Sequence, residues 1–175
     1  MPISSLSIKR NLNCIQKRYD NAMASKDAYS SLEAQLCSKL AIIELCGWIE
    51  ETIDTILMDY LRRTIPNHTI RSAIEKDIIQ NVYGFKYNQY RQLMERILGA
   101  RRFEHIVMSL ERVKARNSHL HSILSDLSKK RNLAAHTHFE QGVTQTFDAP
   151  SCTLQCFNKI FPIFKSIERM VNNMK

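Results

Sequence analysis

Residues 129–139, KKRNLAAHTHF, bring an arginine, an asparagine and two histidines together on a short stretch of chain. The guanidinium of Arg131 can bind a phosphate through two parallel hydrogen bonds. His136 offers an imidazole, the side chain that exchanges protons near neutral pH. Such a pair suits attack of a ribose 2′-hydroxyl on the adjacent phosphate, because one group removes a proton and the other stabilises the crowded transition state. The stretch is therefore a candidate site for RNA cleavage without a metal.

Residues 118–136 are predicted to form the helix that carries these groups. At 100° per residue its apolar side chains share one stripe, which consists of Leu120, Ile123, Leu124, Leu127 and Ala134. Arg131 falls in the middle of that stripe, so we expect it to be buried or half-buried. Because desolvating an unpaired charge costs several kcal/mol, it then needs a partner or an anion. Asn132 and His136 lie one turn apart on a neighbouring face.

The six residues RNLAAH, 131–136, resemble the R-x4-H motif of the HEPN superfamily, with an asparagine directly after the arginine. The preceding LHSILSDLSKK and the acidic AIIELCGWIEETI are also similar to family segments. The resemblance, nearest to the RiboL-PSP-HEPN and MAE-type ribonucleases, implies a metal-independent endoribonuclease that leaves 2′,3′-cyclic phosphate ends and acts as a toxin or antiviral-defence effector. It assigns the scissile phosphate to Arg131, proton transfer to His136 and their orientation to Asn132.

The resemblance also implies a supporting acidic residue. Family members often place a glutamate of an early helix near the motif, where Glu50 aligns best and Glu44 is the alternative. Such an acid would pair with Arg131 or tune His136. The alternative interpretation is that Glu50 lies on the solvated face of an amphipathic helix, and both interpretations stay open.

His138 stands where family members that are controlled by a nucleotidyltransferase antitoxin carry a tyrosine, so that control is not expected here. It either assists His136 or lies in the following loop. A zinc site is the other interpretation of these histidines, with Cys152 and Cys156 as ligands, but C-x3-C is not the usual zinc spacing. We therefore expect no metal and no cofactor.

The charge balance favours an acidic partner, since 25 basic residues face 17 acidic ones and the formal net charge is +8. Lys129, Lys130, Arg101 and Arg102 are candidates for contacts to RNA phosphates. We expect a homodimer with a shared cleft, because a second histidine would protonate the leaving group. An inhibitory antitoxin or a regulatory protein is a further expected partner. The alternative function is a non-catalytic HEPN-like helical module that binds RNA or a partner protein.

The composition predicts the architecture that positions the site. Four glycines and four prolines in 175 residues favour long helices over the tight turns of a β-protein. Together with the resemblance, this predicts a single HEPN-like all-α domain over 1–175, a bundle of about six to seven helices. Their predicted ranges are 4–24, a long central helix at 27–63, a short helix capped by Asn67, then 87–98, 101–116, 118–136 and 151–173. Gly47 is a candidate bend, Pro162 a predicted kink, and 137–150 a loop with room for a brief extended piece.

The expected location is cytoplasmic. No run of about 18 apolar residues suggests a membrane span, and the N-terminus lacks the apolar core of a signal peptide. Five cysteines, an odd number, fit reduced thiols better than a disulfide framework. Because no such apolar segment is found, we also expect no association with a membrane.

Overall fold

A computed structural model describes residues 3–25, 30–82, 84–138 and 146–174. Within these ranges the chain forms seven α-helices and no strand, which confirms the all-α prediction. The helices are α1 (Leu6–Ala24), α2 (Ser30–Thr64), α3 (His68–Ile74), α4 (Tyr87–Leu98), α5 (Ala100–Glu111), α6 (Arg116–His136) and α7 (Pro150–Asn172). A π-helical turn, Glu75–Ile79, continues α3.

Local signals account for the end of α2 and the start of α3. The long helix predicted at 27–63 is α2, which continues through Gly47 and ends shortly before Pro66. The side chain of Asn67 accepts a hydrogen bond from the backbone N–H of Ile70 at 3.1 Å. This bond satisfies one of the free N–H groups of the first turn, as the sequence predicts for an N-cap.

The chain breaks between α4 and α5 at Gly99, as the sequence GARR predicts. Gly99 has φ +87°, a backbone conformation that residues other than glycine rarely adopt. The next break differs from the prediction, since α5 ends at Glu111 and α6 begins at Arg116. Lys114 and Ala115 have φ of 53° and 51°, so a left-handed turn replaces the last predicted helical residues. Neither residue is of a type that favours a positive φ, so the sequence did not reveal this turn.

The last helix begins at Pro150 instead of the predicted cap residue Ser151. A proline suits the first turn of a helix, because its missing N–H would have no intrahelical partner there. Helix α7 then continues through Pro162 to Asn172, and the predicted kink stays a prediction. Residues 137–138 and 146–149 are non-helical, as predicted, whereas 139–145 and the extended piece proposed there lie outside the described residues.

The chain divides into two compact units. The first unit comprises Met1–Ile3, Ile49–Ser125 and Ile160–Lys175, and the second comprises Ser4–Trp48 and Asp126–Lys159. Helices α2, α6 and α7 therefore contribute residues to both units. The single domain predicted over 1–175 stays a prediction.

Each unit buries an apolar core. In the first unit Tyr90 of α4 meets Phe103 of α5 edge to face, with ring centroids 5.8 Å apart. In the second unit Trp48 of α2 meets Phe157 of α7 in the same way at 5.0 Å. Of these four rings Tyr90 and Phe157 are fully buried, and burial of each such ring stabilises the fold by about 2 to 3 kcal/mol.

Candidate functional site

The C-terminal half of α6 carries the predicted site. Leu120, Leu124, Leu127 and Ala134 are buried, which confirms most of the predicted apolar stripe. Arg131 is exposed, so the expectation of a buried or half-buried guanidinium is wrong. An arginine side chain is long enough to keep its charge in water beside an apolar stripe, and this avoids the desolvation cost.

Asn132 and His136 are exposed as well, one helical turn apart, and His136 is the last residue of α6. Within the ranges that the structure describes, the side chains of Arg131, Asn132 and His136 make no hydrogen bond and no ion pair. A guanidinium, an amide and an imidazole are thus open to solvent along the last two turns of α6.

Lys39 of α2 binds the end of this helix, a contact that no sequence pattern predicted. Its Nζ donates a hydrogen bond of 2.6 Å to the backbone carbonyl of Thr137, directly after His136. The hydroxyl and the backbone N–H of Thr137 both donate to the carbonyl of Leu133, at 2.7 and 2.9 Å. A cation at the C-terminus of a helix is favourable, because unpaired carbonyls concentrate negative charge there. Lys39 therefore holds the end of α6 in place, directly before the exposed His138.

Gln35, one turn before Lys39 on α2, binds the chain shortly before α7. Its Oε1 accepts a hydrogen bond of 3.0 Å from the backbone N–H of Phe147. The same face of α2 thus binds both ends of the connection between α6 and α7, at Thr137 and Phe147.

The two lysines before the motif differ in their surroundings. Lys130 forms ion pairs with Asp148 at 2.9 Å and with Asp126 at 3.2 Å. The hydrogen bond to Asp148 raises the pKa of Lys130, against the opposing effect of its partial burial. Lys129 is exposed and has no such partner among the described residues. Of the two, Lys129 is the better placed to contact a phosphate.

The two glutamates offered as supporting residues lie in different units. Glu44 belongs to the second unit, where its carboxylate accepts a hydrogen bond of 3.1 Å from the side-chain amide of Asn11. Glu50 belongs to the first unit and is half-buried. The structure thus gives Glu44 a partner on α1, and the supporting role of either glutamate stays a prediction.

Asp54, one turn after Glu50, is the acidic group that the fold perturbs most clearly. Burial, followed by repulsion from Glu50, Glu51 and Glu75, raises the pKa of this carboxyl to about 6. Among these acidic residues of α2 only Glu51 is exposed, whereas Glu50 and Asp54 are half-buried.

Arg101 and Arg102 lie in the first unit, in the first turn of α5, and both are exposed. Nη1 of Arg102 donates a hydrogen bond of 3.1 Å to the hydroxyl of Tyr60. Both arginines line a cleft of about 600 Å³ together with His105.

Among the described residues, no three histidine, cysteine or acidic side chains are grouped so that they could hold a metal ion. Cys152 is exposed and Cys156 half-buried, and burial raises the pKa of the Cys156 thiol. In the same part of the chain, none of the helices combines the length and the apolar character that crossing a bilayer requires.

No protein-family model matches this chain, and neither does any curated protein or solved structure. Membership of the HEPN superfamily therefore stays a prediction, and it rests on the likeness of residues 131–136 and their helix to the HEPN motif.

Proposed function

We propose that this protein is an endoribonuclease that cleaves RNA without a metal ion, through Arg131, Asn132 and His136. The observation that carries the proposal is the exposure of these three side chains on the last two turns of α6, each without a side-chain partner in the described residues. A guanidinium without an internal partner is available to a phosphate, and an imidazole at a helix end is available to a ribose hydroxyl.

In the proposed reaction His136 removes the proton of a ribose 2′-hydroxyl, and the oxygen attacks the adjacent phosphorus. Arg131 binds the non-bridging oxygens and stabilises the charge that develops on them. The bond from phosphorus to the 5′-oxygen breaks, and this oxygen leaves with a proton from an acid. Asn132 orients the imidazole or the phosphate. The products are a 2′,3′-cyclic phosphate and a 5′-hydroxyl.

One imidazole supplies only one of the two proton transfers, so a second copy of the chain is the proposed source of the acid. Lys129 would contact a neighbouring phosphate, and the net charge of +8 would attract the RNA to either copy. A nuclease that attacks cellular RNA also needs restraint, so a toxin or defence effector with an inhibitory partner is the proposed biological setting.

A non-catalytic module that binds RNA or a partner protein is the second candidate. The open position of Arg131 and His136 favours it, because a single helix surface does not exclude water from the reacting groups. The two candidates differ in one property, the breaking of a phosphodiester bond.

The test incubates total RNA in excess EDTA with the wild type, His136→Ala and Arg131→Ala, and maps the product ends. His119→Ala is the matched control, since His119 is also exposed on α6. We expect cleavage by the wild type and the control, and a loss of about a hundredfold or more in each site variant. Cleavage by His136→Ala, or products with a 5′-phosphate, would contradict the proposal. RNA binding without any cleavage would favour the module.

A further inference from the structure

A cleft of about 600 Å³ lies in the first unit where α4 gives way to α5, and its size is that of a small-molecule site. Its lining residues come from the end of α4, the first turns of α5 and the C-terminal end of the chain: Leu98, Gly99, Ala100, Arg101, Arg102, His105 and Met174. None of them belongs to the candidate site on α6.

Three of the lining residues carry basic groups. Arg101 and His105 are exposed, one helical turn apart, and neither makes a side-chain hydrogen bond or ion pair within the described ranges. Arg102 is fixed through its bond to the hydroxyl of Tyr60, a residue that is only 5% exposed. The buried Tyr60 thus orients the guanidinium of Arg102, whereas the guanidinium of Arg101 is open to a ligand.

None of the described lining residues is acidic. The first turn of α5 has no acidic residue, and Gly99 provides no side-chain cap. Glu95 of α4 forms an ion pair with Arg91 at 3.3 Å. The open guanidinium of Arg101 lies at the positive end of α5, and a bound anion there would be attracted both by this guanidinium and by the free N–H groups of the first turn.

The remaining lining residues give the cleft an apolar wall. Leu98 is buried and Met174 is half-buried, so their side chains offer apolar surface next to the basic groups. We propose that this cleft binds a phosphate group of a nucleotide or of an RNA strand, held by Arg101, Arg102 and His105. The base or ribose lies against Leu98 and Met174. This site goes beyond the nuclease function, because it requires no reaction on α6.

The test measures binding by calorimetry with three probes: adenosine 5′-monophosphate, adenosine, and a hexameric RNA without a terminal phosphate. The RNA is used with His136→Ala so that it stays intact. Arg101→Gln is the site variant, and Arg112→Gln is the control, an exposed arginine at the other end of α5. Thermal unfolding of each variant shows whether it folds, and His105→Gln is the second site variant.

We expect the monophosphate or the hexamer to bind and adenosine to bind far more weakly. Arg101→Gln should weaken binding by roughly tenfold, the effect of losing a charged hydrogen bond, and Arg112→Gln by less than about twofold. Binding of the monophosphate identifies a free nucleotide as the ligand, and binding of the hexamer alone identifies an RNA strand. Equal losses in folded Arg101→Gln and Arg112→Gln, or no binding of either phosphate probe, would overturn the proposal. Cleavage in EDTA is scored separately, so a failure of this site is distinct from a failure of the nuclease.

Discussion

The raised pKa of Asp54 predicts a specific gain of stability from the substitution Asp54→Asn. Burial raises the pKa of this carboxyl from 3.8 to about 6, and Glu50, Glu51 and Glu75 add to the effect. No hydrogen bond or ion pair within the described residues stabilises its charged form. The folded protein therefore carries a carboxylate at neutral pH that would be more stable in water.

The sign of the pH dependence follows from the direction of this shift. Between about pH 4 and 6 the folded state binds a proton that the unfolded state has released, so the free energy of unfolding falls as the pH rises through this range. Above pH 6 the whole cost is present. A rise of the pKa from 3.8 to about 6 corresponds to roughly 3 kcal/mol, and solvent screening of a half-buried group reduces this to about 1.5 kcal/mol.

Urea unfolding at pH 7.5 and at pH 4 tests this reasoning. We expect Asp54→Asn to raise the free energy of unfolding by about 1.5 kcal/mol at pH 7.5, with most of the gain absent at pH 4. Asp77→Asn removes the same charge from an exposed position of the first unit and should change it by less than about 0.5 kcal/mol. An equal gain from Asp54→Asn at both pH values, or a gain at pH 7.5 no larger than that of Asp77→Asn, would refute a destabilising charge at Asp54.

Two other substitutions test the helices around the site. Gly47→Ala should raise the free energy of unfolding, measured in urea, by about 0.5 to 1 kcal/mol. Gly47 is exposed within α2, and a Cβ there meets no atom within 4 Å apart from its own stretch of helix. A lower free energy of unfolding would indicate a contact that this geometry excludes. Lys39→Met removes the 2.6 Å bond to Thr137 and should cost about 1 kcal/mol and speed hydrogen exchange in the last turn of α6. Lys17→Met, at an exposed site of α1, is its control, and equal exchange in both variants would argue against the anchor.

Local signals predicted the helices and several of the breaks between them. The cap at Asn67 and the break at Gly99 depend on residues within a few positions, and both agree with the structure. The turn at Lys114 and Ala115 escaped prediction, because neither residue type favours a left-handed conformation. Sequence patterns identify an unusual backbone where glycine or proline occurs and miss it where ordinary residues adopt it.

The surroundings of the site were harder to predict than its helix. The spacing on α6 shows which face Arg131 occupies, but whether that position is covered depends on other elements, and Arg131 is exposed. The bond from Lys39 to Thr137 joins residues 98 positions apart, a separation at which periodicity carries no signal. The boundary between the two units falls within α2, α6 and α7, where no glycine- or proline-rich segment marks it.

The two anchors on α2 have a consequence for protein engineering. Gln35 and Lys39 bind the chain at Phe147 and Thr137, so the distance between these two points is set by α2. An epitope or a fluorescent reporter inserted between 139 and 145 should leave the end of α6 in place, which makes this connection the first choice for labelling the protein next to its candidate site.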